Sequence, residues 1–303
     1  MMLNRTEKGA AVVRDQSIFN KLFDAVNIII LLLVSLMMLL PFLYVVSVSL
    51  SSYTEYMSRD FYLIPKSIDF KAYAFIFNSG SFIRSIVVTV FVTLLGTFVN
   101  LLLTSTLAYT LSYKVFGQRT VLFMVLFTMM FSAGMIPTYL VVKETGLLNS
   151  IWSLILPVAI TPFNLIVMRQ FFMSIPGELS EAAKIDGSND LQTFLRIILP
   201  LSKPSLAAFG LFYAVYHWNN YFSAILYLND PALWPIQVIL RQIVVVNEAL
   251  STLGNGQILL ENAPPAETVQ MAAIIVATVP ILIVYPFLQK HFAKGVMLGS
   301  VKG

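Results

Sequence analysis

The sequence has no cysteine and only two histidines, and just 11% of its 303 residues are charged. Without cysteine there is no disulfide, no thiolate metal site and no cysteine nucleophile. Two histidines, His217 and His291, are too few for a multi-histidine metal centre. Soluble domains carry about 25% charged residues, so the shortage of charge excludes an ordinary soluble globule. The chain also lacks the G-x-x-x-x-G-K-[ST] loop that cradles nucleotide phosphates, and is not expected to bind ATP in that way.

What fills the sequence instead is apolar: 58% hydrophobic residues, with a mean hydropathy of +0.81. This composition specifies an integral membrane protein, with the lipid bilayer as its main surroundings, and the long uncharged runs of the chain make an all-α membrane protein the expected fold class. A pI near 9.2 invites a nucleic-acid reading. However, the 19 Lys and Arg residues are scattered through short polar gaps, as the positive-inside bias of membrane proteins produces. No nucleic-acid partner is expected.

Residues 1–24 are polar and mixed in charge, without the apolar core or small-residue cleavage site of a leader peptide. Residues 25–54 then run thirty positions without a charge. A helix crosses the bilayer core in about 20 apolar residues, so this is a first transmembrane helix, with a bend expected at Pro41. Residues 55–84 form an aromatic-rich link too polar to span. Five more uncharged windows follow, at 85–113, 120–142, 145–168, 204–229 and 268–289, and each suffices for one crossing. Six spans are therefore expected. With both termini cytoplasmic, 13 Lys and Arg residues fall in the inner gaps and 6 in the outer ones. That asymmetry sets the orientation. Residues 169–204 and the tail 290–303 are then cytoplasmic, and the loop 230–267 is external.

None of the six windows contains Asp, Glu, Lys or Arg. Proton-coupled carriers keep ionisable groups at mid-membrane, so their absence argues against one, while sodium coupling through backbone and hydroxyl oxygens stays open. No catalytic residue is expected. His217 is the single histidine inside a window, and no acid there orients it, which favours a packing or pore-facing role over catalysis. A passive channel or a permease driven by a partner remains.

The most polar stretch between spans is Glu181–Pro204. Ser174 and Pro176 suit the start of a first helix, and Gly187 supplies a left-handed stop. Leu179, Ala182, Ala183 and Asp186 recur at 0, 3, 4 and 7 and are expected to share a face. Glu181 and Lys184 are spaced to pair. Ser188 or Asp190 suits the cap of a second helix with an apolar side of Phe194, Ile197 and Ile198. Pro200 is expected to end that helix and Pro204 to open the fifth span. Such a hairpin either docks in a partner's groove or lies on the membrane surface or on its own bundle.

Glu181-Ala182-Ala183, Asp186-Gly187, Phe194, Ile197, Leu199-Pro200 and Pro204 resemble the EAA loop, E-A-A-x-x-D-G-x₆-F-x-x-I-x-L-P-x-x-x-P, of membrane subunits of ATP-binding-cassette importers. Every fixed position is matched over these 24 residues. The resemblance covers about 85–289, the five-helix core of a type I importer with the MetI-like permease fold. Trp218-Asn219-Asn220-Tyr221 resembles the W-N-x-[FY] motif of the carbohydrate branch. The ending Gly299 to Gly303 resembles the G-x-V-K-G of the second membrane subunit of maltose-type permeases. In overall texture the chain is similar to permeases for complex saccharides such as alginate and pectin fragments.

The resemblance implies a permease subunit of the bacterial cytoplasmic (inner) membrane that is not itself an enzyme. Its implied partners are a second, homologous permease, two ATPase subunits and an extracytoplasmic solute-binding protein. It carries no cofactor of its own, ATP and Mg²⁺ being bound by the ATPases. Leu179, Glu181, Ala182, Ala183, Asp186 and Gly187 would form the ATPase-coupling contact. Gly299, Val301, Lys302 and Gly303 would reach between the ATPases. Trp218, Asn219, Asn220 and Tyr221 are candidates for the substrate path. Trp234, Gln237 and Arg241, with Gln242 and Asn255, are candidates for contact with the binding protein. A secondary carrier, a channel, an interaction subunit or a permease for a non-sugar substrate are the competing readings.

Overall fold

The computed structural model describes residues 18–59, 61–245 and 264–300, and among them only helices and turns occur. Helix α1 (Ile18–Ser49) carries Pro41 inside it without ending there. Every side chain from Ile18 to Leu43 is exposed, and burial begins only near its far end, at Ser47, Val48 and Ser49. A long apolar helix with no protein cover is stable where lipid surrounds it.

The link that follows is held by one carboxylate. Glu55 in α2 (Tyr53–Ser58) accepts the backbone N–H of Lys66 at 2.8 and 3.0 Å and that of Ser67 at 3.2 Å, and pairs with Arg59 at 3.3 Å. The backbone N–H of Lys66, more than the Arg59 charge, holds its carboxyl below the usual glutamate range against the opposing effect of burial. A depressed pKa contributes stability that is present above the unfolded value and lost as pH falls through the folded one. The protection of the Lys66 and Ser67 amides, measured against the intrinsic exchange rate at each pH, is therefore expected to fall in acid in the native chain. In Glu55→Gln this protection should be low at every pH; protection that stays independent of pH in the native chain would refute this role.

Helix α3 (Lys71–Phe77) leads into α4 (Gly80–Thr110), which Ser79 caps by accepting the N–H of Phe82. The expected window 120–142 is not one helix. It divides into α5 (Gln118–Met130) and α6 (Met135–Glu144) at Gly134, whose φ of +84° suits glycine. The window 145–168 is also broken, because Pro157 and Pro162 withhold backbone donors. It forms α7 (Trp152–Ile155), a tight turn at Leu156–Val158 and α8 (Pro162–Met173), with a bend of 56°. The Asn100 side chain of α4 donates to the freed carbonyl of Val158 at 3.0 Å. Satisfying such a group from a neighbouring helix is what lets a broken helix persist in lipid.

Helix α9 (Gly177–Ile185) is followed by α10 (Asp190–Leu201), which meets α11 (Lys203–Asn219) at 83°. A break at Asn220 separates α11 from α12 (Phe222–Tyr227). Beyond it, α13 (Ile236–Val245) and α14 (Ala266–Ser300) complete the described chain. The six uncharged windows thus give three uninterrupted helices long and apolar enough to cross, Ile18–Ser49, Gly80–Thr110 and Ala266–Pro286, together with bent or shorter ones. The last helix also continues past the expected boundary at 289, so the tail is helical as far as Ser300.

Among the described residues three buried clusters form the core, and α4 enters all of them. Phe82 joins α3, α13 and α14; Val92 joins α6, α7, α12 and α13; Ala108 and Tyr109 join α8, α10 and α11. The supposed external loop contributes to this core. Ile236, Ile239 and Ile243 of α13 are buried, and the backbone N–H of Ile236 donates to Thr89 Oγ1 on α4 at 2.7 Å.

Candidate functional site: the polar hairpin and its seat

The hairpin begins and turns differently from its sequence expectation. Ser174 closes α8, its hydroxyl donating to the carbonyl of Phe171 at 2.7 Å, and Pro176 occupies the N-cap of α9. Gly187 does stop that helix, with φ +83°. Its N–H donates to the Lys184 carbonyl at 3.1 Å, while Ser188 N–H donates to that of Ala183 at 2.9 Å. This paired closure is the glycine-dependent C-terminal motif of helices. Neither Ser188 nor Asp190 caps α10. Asn189 does, accepting the N–H of Gln192 at 2.8 Å while its own N–H donates to Gln192 Oε1 at 3.1 Å. Nor does Pro200 end α10, since a wider π-turn over Phe194–Ile198 precedes it and absorbs the donor that proline lacks.

The faces of α9 also differ from expectation. Ser180 and Ala183 point inward and are buried. The hydroxyls of Ser180 and Tyr113 lie 3.0 Å apart. Lys184 does not pair with Glu181. Its ammonium is 3.1 Å from Asp190 Oδ1 and lies over the Tyr113 ring at 5.9 Å. The outward side presents Glu178, Glu181, Ala182 and Ile185. Ala182 and Ala183 therefore do not act together: Ala183 seats the helix and Ala182 faces away from it. Ile185 is 86% exposed and was missed. The signal was present, since Glu178, Glu181, Ala182 and Ile185 recur at 0, 3, 4 and 7 just as Leu179 to Asp186 do.

The seat is the end of α4. The Tyr109 ring packs on Phe194 at 4.8 Å and edge-on to Tyr113 at 5.1 Å, and its hydroxyl donates to the Asp190 carbonyl at 3.4 Å. The Leu111 carbonyl accepts from Arg169 Nε at 2.7 Å and from Gln118 Nε2 at 2.8 Å. An aromatic cluster and two side-chain donors thus bind α4, α8 and α10 into one block that carries α9.

The other candidates are dispersed. Trp218 is buried and its indole donates to the Ala277 carbonyl at 3.2 Å. Asn219 is exposed and donates to the Val215 carbonyl, and Asn220 Oδ1 accepts the N–H of Ser223. Tyr221 is exposed and packs edge-on to Phe222. These four residues do not share a surface. Trp234 is half-buried and donates to the Leu228 carbonyl at 3.1 Å; Gln237 and Gln242 are half-buried and Arg241 is exposed. Gly299 lies in the final turns of α14, whereas Asn255, Val301, Lys302 and Gly303 fall outside the described residues.

Sequence reasoning also overlooked a polar seam inside the bundle. Thr93, Thr97, Asn100 and Thr104 follow one side of α4, and Thr104 pairs with Tyr213 of α11 at 2.8 Å. Between them Gly96 lies directly against the ring of His217, which is 1% exposed. Both ring nitrogens of His217, the hydroxyls of Thr93 and Thr97, and Asn100 Oδ1 are buried without a hydrogen-bond partner among the described residues.

Residues 74–298 match the family of binding-protein-dependent transport system inner membrane components. The chain belongs to this family. The permease is 52% identical over 289 residues to the polygalacturonan/rhamnogalacturonan transport system permease protein YtcP of Bacillus subtilis, covering 94% of this chain and 99% of that one. It is 49% identical to Protein LplC of the same organism, covering 93% and 96%. A chain from a crystal structure of a bacterial ABC transporter involved in the import of the acidic polysaccharide alginate superposes with a TM-score of 0.83 at 35% identity. That match covers 91% of this permease and 98% of the other chain. Proteins of this family are multi-pass membrane subunits of importers and are not themselves enzymes.

Proposed function

We propose that this permease is one of two membrane subunits of an ATP-driven importer of acidic, uronate-containing oligosaccharides, and that α9 couples it to the ATPases. One observation carries the coupling: α9 is fixed on its inner side by Ser180, Ala183 and Lys184 and, among the described residues, unpartnered on its outer side at Glu181, Ala182 and Ile185. A helix so held transmits displacement as a rigid element. ATP and Mg²⁺ act on the partner ATPases, and closure of that pair moves α9, the aromatic block and α4 together. Both termini are cytoplasmic in this reading, and the end of α14 beyond Gly299 reaches toward the ATPases through Val301, Lys302 and Gly303.

The substrate class is supported by the relatives, two of which are described by acidic polysaccharides. In this reading a binding protein delivers the sugar at the opposite end of the bundle, where Arg241 is exposed. The test is uptake of labelled galacturonate oligomers against neutral malto-oligomers by the complete importer in a host without either pathway. A preference for the acidic oligomers of about tenfold or more, on the order of 1.4 kcal/mol, is expected. Equal or faster uptake of the neutral oligomers would overturn the substrate assignment.

A further inference from the structure

Where α4 ends, the chain turns tightly through residues 111–117 before α5. Gln118 N–H donates to the Val115 carbonyl at 3.2 Å, and Gly117 takes φ +78°. This turn thrusts Phe116 fully into the surroundings, with Lys114 and Arg119 on either side of it. Together with Val115, Val121 and Met124 they line a cavity of about 760 Å³. No acidic residue lines it, and among the described residues neither Lys114 nor Arg119 enters an ion pair. No side chain of α5 is fully buried; Leu122 and Val125 pack half-buried on the core and the rest of the helix beyond Gln118 faces away.

Two cations without counter-ions beside a bare phenyl ring, at the end of a membrane-spanning helix, match the depth profile of a phospholipid. Basic pockets on the inner side of membrane bundles take anionic headgroups, and aromatic side chains settle at the boundary with the acyl chains. We propose that this cavity binds an anionic phospholipid, its phosphate between Lys114 and Arg119 and an acyl chain along Phe116, Val121 and Met124. The binding itself requires only that the chain lies in a bilayer. Assignment to the cytoplasmic leaflet rests on the coupling reading of α9. The location matters because Tyr113, next to Lys114, is the residue that touches both Ser180 and Lys184 of α9. A lipid held here anchors the seat of the hairpin to the membrane.

Because the chain has no cysteine, Phe123→Cys, exposed on α5 beside Met124 and outside the proposed contacts, gives it a single labelling site. The assembled importer, carrying a fluorophore there, is placed in bilayers doped with spin-labelled phosphatidylglycerol or spin-labelled phosphatidylcholine at equal density. Quenching is expected to be several-fold stronger with the anionic lipid. Adding Lys114→Gln and Arg119→Gln is expected to abolish that difference, while retained ATPase activity shows that the complex is assembled. Equal quenching by both lipids without the charge changes would overturn the proposal. Absence of quenching by either would do so as well, assigning the cavity to a partner subunit. The quenching itself involves neither sugar nor coupling, so failure here and failure of the importer reading are distinguishable.

Discussion

Gly96→Ala is expected to destabilise the permease by about 1–3 kcal/mol, the usual cost of overfilling a packed interior. The opposite sign is the default, because alanine in a helix interior is ordinarily favoured over glycine by about 0.5–1 kcal/mol. The contact decides between them. A Cβ on Gly96 would lie 2.5 Å from Nε2 of His217 and 2.7 Å from two of its ring carbons. That ring is 1% exposed, so it has no open side to retreat to. His217→Ala in the same chain is expected to relieve the clash, with a coupling energy of about 0.5–3 kcal/mol in a double-mutant cycle. Thermal unfolding of the four proteins in one detergent measures it. A stabilised Gly96→Ala protein, or additive effects of the two changes, would show that the helices do not approach this closely.

Disrupting α9 is expected to cost transport rather than folding. Ile185 lies in the open in this chain, so Ile185→Asp should leave the melting temperature unchanged. If Ile185 is the apolar anchor in the ATPase, its loss resembles that of an interface hot spot, about 2 kcal/mol or more, which weakens ATPase capture roughly thirtyfold. Glu181→Ala with Gly187→Val acts differently. Valine at φ +83° adds strain of about 1–2 kcal/mol, opposing the closure at the Lys184 and Ala183 carbonyls and shifting α9 on its seat. That pair is expected to leave ATP hydrolysis uncoupled from uptake or to release the ATPases. Pull-down of the ATPase, ATP turnover and sugar uptake in reconstituted vesicles separate these outcomes. Normal uptake in both variants would remove α9 from the coupling pathway.

The helix-stopping glycine shows what local sequence carries. Gly187 falls where a helix must end, and only its own backbone freedom is needed for that. The capping residue was harder to read, because Ser188, Asn189 and Asp190 are all competent and the reciprocal bond from Gln192 selects one. The faces of α9 were ambiguous for a related reason. Two series, Leu179 to Asp186 and Glu178 to Ile185, run along residues 178–186 at the same spacing, and neither is the side that seats: Ser180 and Ala183 are the buried pair, which periodicity alone does not say. Trp218 shows the same limit, since an indole suits a sugar or a backbone carbonyl equally well until Ala277 is placed beside it.

By itself, the sequence determined that the chain is helical and lives in a membrane, since uncharged runs of this length leave no other solvent for the backbone. It also determined the family, through a hairpin whose fixed residues stand at fixed intervals. Only the tertiary structure decided where the helices break, which side of α9 stays free, and that α4 meets α11 through Gly96 and His217. The physical reason is the range of the forces. Hydrophobicity and backbone sterics are written residue by residue, whereas a face is buried, or a glycine required, only by what another segment brings against it.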